Sequence, residues 1–488
     1  DSNILHNTKL DDGETPLSVQ RTTKTKSQMS SAVFTMFSQM MGSSILAFPF
    51  VVQKLGWVLT SLVLIHSVVM VLVSVHYYLY ACYYTKAQSY SDLVTKLLGK
   101  TAGKLLDASL QLYYYGYMVA YIIVSSNGIV TFVLNVFNYQ LNTYITKTVI
   151  TLFIMLPLCF LKSLKQLSLI STFAGMIIFV FVFSIIAYFF IHLDTRILCS
   201  YDGNDIEYHL PSFPNADSMQ SLLFFLMYIP SVFGSFTAFP VVPRFLKELQ
   251  GSYSHRKETT EKAIYWSMVF VVLCYLAVGY LGACMFGTHT EQNFMKSFTP
   301  CKDLYFDVVS LFYSVVVMIN FPLVLYPLKT SLVQSFHEEI ETKRGYKISI
   351  WVDLFFVAAT LVFALFVEAI VSIFGIFASI AGFVFYFLMP CYCFMVIKQL
   401  SQRDAPKQNE HAGLVEADLQ IKSRKHEGSS DLSADSVQHE AKKEKERSMY
   451  QKVPRGRRAA GWVVIAIYGV ICAVGFVMNI IDVVELFK

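Results

Sequence analysis

Hydrophobic positions along this chain gather into long, nearly unbroken runs divided by short polar stretches. Eleven such runs stand out, at 31–52, 57–80, 105–134, 143–161, 167–192, 219–243, 263–286, 304–328, 350–371, 372–397 and 460–482. Most contain the roughly 20 residues that cross a ~30 Å hydrocarbon layer as a helix at ~1.5 Å per residue. The pattern predicts an all-α polytopic membrane protein with eleven transmembrane helices. Polar residues 1–29 read as a cytoplasmic tail and 30–397 as a core of ten spans. The segment 398–459, rich in Glu, Lys, Ser and Gln, reads as a disordered cytoplasmic linker, and 460–488 as the eleventh span with a short outer tail. No short apolar core with a small-residue cleavage site opens the chain, so a cleaved signal peptide is not expected.

Composition and charge sharpen this picture. The 488 residues are 55% hydrophobic and 15% charged, with a mean hydropathy of +0.50, values outside the range of soluble globular domains. A cytoplasmic N-terminus places all but six of the 39 Lys and Arg residues on the inner side; the six are Lys54, Lys147, Arg196, Lys296, Lys302 and Lys488. This bias satisfies the positive-inside rule. The formal charge of +5 is then a topology signal and calls for no nucleic-acid partner. Between the second and third spans, SYSDLVTKLLGKTAGK sets Leu93, Val94, Leu97 and Leu98 at helical spacing beside Lys96, Lys100 and Lys104, the pattern of a helix on the inner membrane face.

Two spans carry interruptions. In the first, Gly42-Ser43-Ser44 and then Pro49 weaken the helix at mid-membrane. In the sixth, YIPSVFGSFTAFPVVP places Pro230, Gly234, Pro240 and Pro243 in an otherwise apolar segment, with Ser231, Ser235 and Thr237 alongside. Free main-chain groups at membrane depth persist only where they line a cavity or hold a ligand. Broken spans in matching positions of two five-span halves mark the binding site of an inverted-repeat transporter. Positive helix ends and free amides suit a carboxylate; free carbonyls suit an ammonium or small cation. A zwitterion carries both. The expected substrate contacts are therefore the amides of Gly42, Ser43, Ser44 and Ile45 for the carboxylate. The carbonyls near Gln39 and Met41, and of Val232, Phe233 and Gly234, serve the ammonium, with hydroxyls including that of Ser235 as secondary contacts.

With these residues in view, the chain resembles the amino acid/auxin permease family, including its sodium-coupled, proton-coupled and vacuolar members. MMGSSILAFPFVVQKLGW is similar to the family's glycine-rich opening, LPLCFLKSLKQLSLIS to its fourth-to-fifth connection, and NFPLVLYPLKTSL, with Pro322, Pro327 and Lys329, to its eighth span. The resemblance implies a LeuT-type fold, a 5+5 inverted repeat plus one C-terminal helix. It also implies secondary active transport of amino acids by alternating access. Ser38 and Asn320 stand where the sodium-coupled branch has Asn and Thr; both offer oxygen, the ligand Na⁺ takes. They make a possible cation site. Ser235 stands where many relatives carry a histidine before the span-six proline, and since serine does not titrate, a proton relay through that position is not expected. Either H⁺ or Na⁺ remains open as coupling ion, and no other cofactor is expected. Of the nine cysteines, Cys199 and Cys301 fall in outer loops; resemblance to the proton-coupled branch implies that they pair, the other outcome being two free thiols.

The tyrosine row of the third span, Tyr113, Tyr114, Tyr115, Tyr117 and Tyr121, reads either as packing or as part of a substrate path. His66, His76 and Glu368 are the ionisable residues placed in or near the membrane, each with a hydrogen-bonded structural role as the plainer reading. No catalytic triad, metal-ligand spacing or phosphate loop occurs, so an enzyme is not expected. The functional expectation is a transporter of small, neutral amino acids in the plasma membrane or a vacuolar or lysosomal membrane. A transporter-like amino acid sensor signalling through its cytoplasmic segments is the alternative.

Overall fold

The structure, a computed structural model, describes residues 29–485 except 398–454 and the short stretches 30–32, 35, 38–39, 86, 88, 161–163, 195–196, 202–203, 209–217, 237–241, 243–245, 247–252, 337, 339 and 341. Ser38, Gln39, Thr237, Pro240 and Pro243 therefore lie outside the described residues, as do the 398–454 stretch of the expected linker and nearly all of the expected N-terminal tail.

The described residues from 33 to 41 are helical, a turn follows at Gly42 and Ser43, and a 3₁₀ turn covers Ser44–Leu46. Helix α1, Phe48–Thr85, is two arms that meet at Gly56, whose φ of 75° and ψ of 172° are open to a residue without a Cβ. The amphipathic α2, Tyr90–Leu98, is capped by Ser89, which accepts from the Asp92 amide at 3.0 Å. Leu93 and Val94 are buried within the protein, and the Tyr90 hydroxyl donates to the Phe385 carbonyl at 2.8 Å. The apolar face of α2 is thus turned to other helices.

After α2 come α3, Lys100–Phe137, and α4, Thr143–Ile150, which continues through π-helical Thr151–Met155 into Leu156–Cys159. Asn142 caps α4 through its side chain. Helix α5 spans Leu164–Ile191, and a hairpin of β1, Ile197–Tyr201, and β2, Asn204–Glu207, leads to α6, Ser218–Gly234. The remaining long elements are α7, Tyr253–Phe286; α8, Leu304–Ser335; α9, Lys343–Phe366; α10, Ile370–Phe377, extended by π-helical Ala378–Leu388; and α11, Arg455–Glu485. Among the described residues seven helices are long and apolar enough to cross a membrane, and α4, α5 and α6 supply shorter apolar ones. Large apolar side chains such as Ile65, Phe183, Phe355 and Val470 face outward, as expected of surfaces solvated by lipid.

Small residues let the helices approach closely, the usual means of packing where lipid offers no hydrophobic drive. A Cβ on Gly116 would press on Phe377 of α10, and one on Gly475 of α11 would come 2.9 Å from Pro230 and 3.1 Å from the Leu226 carbonyl of α6. That carbonyl is the one Pro230 cannot bond. Helix α11 is further fixed by Asn479, whose Nδ2 donates to Gly475 at 2.6 Å and to Met227 of α6 at 3.3 Å. The Ser372 hydroxyl of α10 donates to Asp482 of α11.

Ion pairs occupy places the sequence pattern did not mark. Lys329 of α8, nearly buried, bonds the Cys159 carbonyl at 2.6 Å and Asp353 of α9 at 3.2 Å. Lys147, grouped above with aqueous lysines, is fully buried. His66 hydrogen-bonds and stacks on Tyr468 of α11, and His76 pairs with Glu261 at 3.2 Å on an exposed surface. Cys199 of β1 and Cys301 form a disulfide with Cα atoms 5.2 Å apart.

Candidate functional site

The first break is built by backbone chemistry at Gly42. Its φ of +31° is one that L side chains rarely adopt, so the helix of residues 33–41 ends there and its last carbonyls lose their intrahelical partners. A Cβ at Gly42 would also stand 2.9 Å from the Tyr121 hydroxyl. Pro49 plays a different part from the one its position suggests. It sits in the first turn of α1, where its missing N–H would have had no partner in any case. The glycine ends one half-helix and the proline helps start the next.

The second break lies at the end of α6. Pro230 is accommodated inside the helix, which runs on to Gly234 before a turn at Ser235. Carbonyls of Ser231, Val232 and Phe233 are consumed by the closing turn, accepting from the Ser235 and Phe236 amides at 3.1–3.2 Å. Gly234 and Ser235 are left to offer theirs. The Ser231 and Ser235 hydroxyls donate to the Val371 and Ser231 carbonyls.

Tyrosine hydroxyls from three helices meet these freed carbonyls and tie the breaks together. Tyr275 of α7 donates to Met40 O at 3.0 Å and to Ser235 O at 3.2 Å, one from each break. Its ring is stacked on Phe48 at 4.2 Å and meets Phe236 edge-on at 5.4 Å. Tyr313 of α8 donates to Gly42 O. On α3, Tyr113 and Tyr117 both donate to Gly234 O, the latter at 3.0 Å. Tyr117 also lies 3.4 Å from the Ser44 hydroxyl, so it too bridges the breaks.

Both half-helices present C-terminal, partially negative ends to this cluster. Each carries roughly −0.5 charge, and two such ends sharing the Tyr275 hydroxyl make a site that attracts a cation. The 3₁₀ turn Ser44–Leu46 and the start of α1 point the opposite, positive end at the same place. Charges of both signs thus lie within a few residues of each other. Met41, Gly42, Ser43, Ser44, Ile45, Val232, Phe233, Gly234 and Ser235 are all buried around it. Ser43 Oγ has no hydrogen-bond partner among the described residues, and neither has Oδ1 of Asn320, about two turns beyond Tyr313 on α8. Both are oxygen donors. Among the described residues no group of three His, Cys, Asp or Glu side chains is placed to hold a metal ion.

The tyrosine row on α3 was visible in the sequence, but Tyr275 and Tyr313 were not. Tyr275 stands among aliphatic residues and Tyr313 directly follows Phe312, which is how packing residues look, and only the path of the backbone brings their hydroxyls to the breaks.

Comparison with known proteins bears on this architecture. The family model described as "Transmembrane amino acid transporter protein" matches residues 25–409. The amino acid transporter AVT6E of Arabidopsis thaliana is 23% identical over 315 residues, covering 62% of the chain and 62% of that relative's length. A crystal structure of the Eremococcus coleocola manganese transporter superimposes with a TM-score of 0.53 at 9% identity, covering 96% of this chain and 90% of that one. A mutant of the same transporter gives 0.51 at 12% identity with the same coverage. These likenesses are of fold.

Proposed function

The chain belongs to the transmembrane amino acid transporter family, which is not a family of enzymes, and from that premise we propose that it is a secondary active transporter of neutral amino acids. It works by alternating access around the two breaks, with H⁺ or Na⁺ as coupling ion. One observation carries the reading: the carbonyls of two helix C-termini, Met40 and Ser235, share the Tyr275 hydroxyl, beside the N-terminal turn at Ser44. An α-amino acid matches that pairing of signs. Its ammonium takes the carbonyls near Met40, Gly42 and Gly234, replacing tyrosine hydroxyls, and its carboxylate takes the amides from Gly42 to Ile45 with the Ser44 hydroxyl. The surrounding Phe48, Phe233 and Phe236 favour an uncharged side chain. Asn320, with Ser38 outside the described residues, forms the candidate cation site.

The proposed topology puts the N-terminus in the cytoplasm and the disulfide-bearing hairpin on the opposite, oxidising side, of a plasma, vacuolar or lysosomal membrane. Full-length protein in proteoliposomes, tested with a panel of labelled amino acids while Na⁺ is replaced and pH varied independently, decides the matter. Saturable uptake of neutral amino acids that collapses with one of the two gradients is expected. Binding without flux overturns the transport reading.

A further inference from the structure

On the face of the protein that carries the β-hairpin, residues 287–303 between α7 and α8 form a cap of three short turns, Gly287–His289, Phe294–Ser297 and Thr299–Cys301. Phe294 is completely buried. A Cβ on Gly282 of α7 would meet it at 2.7 Å and Pro49 at 2.9 Å, so the cap rests on α7 next to the helix that leaves the first break. One edge of the cap is fixed. Cys301 is bonded to Cys199 of β1, and Thr299 is held by Asn135 Nδ2 at 3.4 Å and by the Thr131 hydroxyl at 3.3 Å.

The opposite edge is held by polar contacts to the turn between α9 and α10. Gln292 Oε1 accepts from the Val371 amide at 3.2 Å. Lys296 Nζ lies 3.2 Å from Glu368 Oε2, while Glu368 Oε1 is 3.2 Å from Lys147 Nζ of α4. The two lysines are not equivalent. The Lys147 side chain is 0% exposed and also donates to the Ala364 carbonyl at 2.9 Å, in the last turn of α9 where a cation is favoured. Lys296 is 34% exposed and sits on the cap itself. A buried ammonium cannot leave its carboxylate without large cost, whereas a part-exposed one exchanges it for water readily.

We propose that Glu368 is the latch of a lid formed by residues 287–303, one oxygen kept by Lys147 while the other releases Lys296 when the lid opens the hairpin-side path to the tyrosine-lined breaks. Its consequence for uptake rests on the transport reading, but the latch does not. Amide hydrogen exchange on full-length, lipid-reconstituted protein tests it without any substrate. Lys296→Gln speeds exchange of residues 287–303 by about 2–5-fold, the range of a partly exposed ion pair, and Glu368→Gln, which also strips buried Lys147 of its carboxylate, speeds it at least as much. Lys296→Glu, facing one carboxylate with another, exceeds Lys296→Gln, and Lys296→Arg matches the wild type. Exchange in α3 serves as the control for general loosening and stays unchanged. Unaltered lid exchange in Lys296→Glu, or an Arg variant as fast as the Gln variant, overturns the latch. In uptake assays the Gln variants lower KM for substrate added on the hairpin face; altered exchange in a protein that transports nothing would instead retire the transport reading and leave the latch standing.

Discussion

Gly42→Ala separates the two demands that the first break places on its residue. A φ of +31° costs an L side chain about 1–2 kcal/mol. The new methyl would also stand 2.9 Å from the Tyr121 hydroxyl, and relieving such overpacking costs about 1–3 kcal/mol. Together the substitution withdraws about 2–5 kcal/mol from the native arrangement of the break. Tyr121→Phe removes only the steric part, because the next ring atoms lie 3.7 Å from the methyl position, an ordinary van der Waals distance. The double variant Gly42→Ala/Tyr121→Phe is therefore expected to recover about 1–3 kcal/mol of the loss, the overpacking share, and to retain the backbone share. The assay pairs thermal unfolding in detergent with initial uptake rate in proteoliposomes, using Tyr121→Phe alone as reference. A Gly42→Ala protein as stable and active as the wild type refutes the backbone argument. A double variant no better than the single refutes the contact with Tyr121.

Two further outcomes are expected. Lys329→Met leaves Asp353 buried without its cation and should cost about 3–5 kcal/mol by thermal unfolding, while Lys329→Met/Asp353→Leu regains most of it, since removing both charges relieves the desolvation of each. Half-burial alone would raise the Glu368 pKa, but Lys296 and Lys147 outweigh it and hold the carboxyl below its ordinary value of 4.5. The ion pairs it makes are then fully present above that value and are lost as pH falls through the depressed one. Lid exchange, corrected for the intrinsic pH dependence of amide chemistry, should stay flat from neutral pH to the ordinary value and rise only below it.

The break at Gly42 was legible because Gly42-Ser43-Ser44 followed by Pro49 combines poor helix formers with a missing amide within about two turns of an apolar run. Pro49 and Pro230 were harder to place. A proline shows that one amide is missing but not whether that amide stands in a helix interior or a first turn, and the structure puts one of each. The disulfide partners followed from resemblance and outer-loop position, and the fold joins them. Charge was misread where sequence distance stood in for depth. Lys147 lies only a few residues from the polar 138–142 loop, yet the turn of α4 directs it inward to the end of α9. Asp353 and Lys329 could not be matched because their pairing depends on how α8 packs against α9. The hydroxyls on the break carbonyls belong to this same class of long-range fact.

The last helix has a consequence for how the chain can be handled. Asn479, Asp482 and Gly475 supply the surface that α6, with Pro230 inside it, and the start of α10 lean against. A chain cut short before α11 would expose the Leu226 and Met227 carbonyls and the Ser372 hydroxyl to acyl chains, which have nothing to offer them. Reporter domains belong beyond residue 485, then, and truncations that lack α11 are poor mimics of the protein.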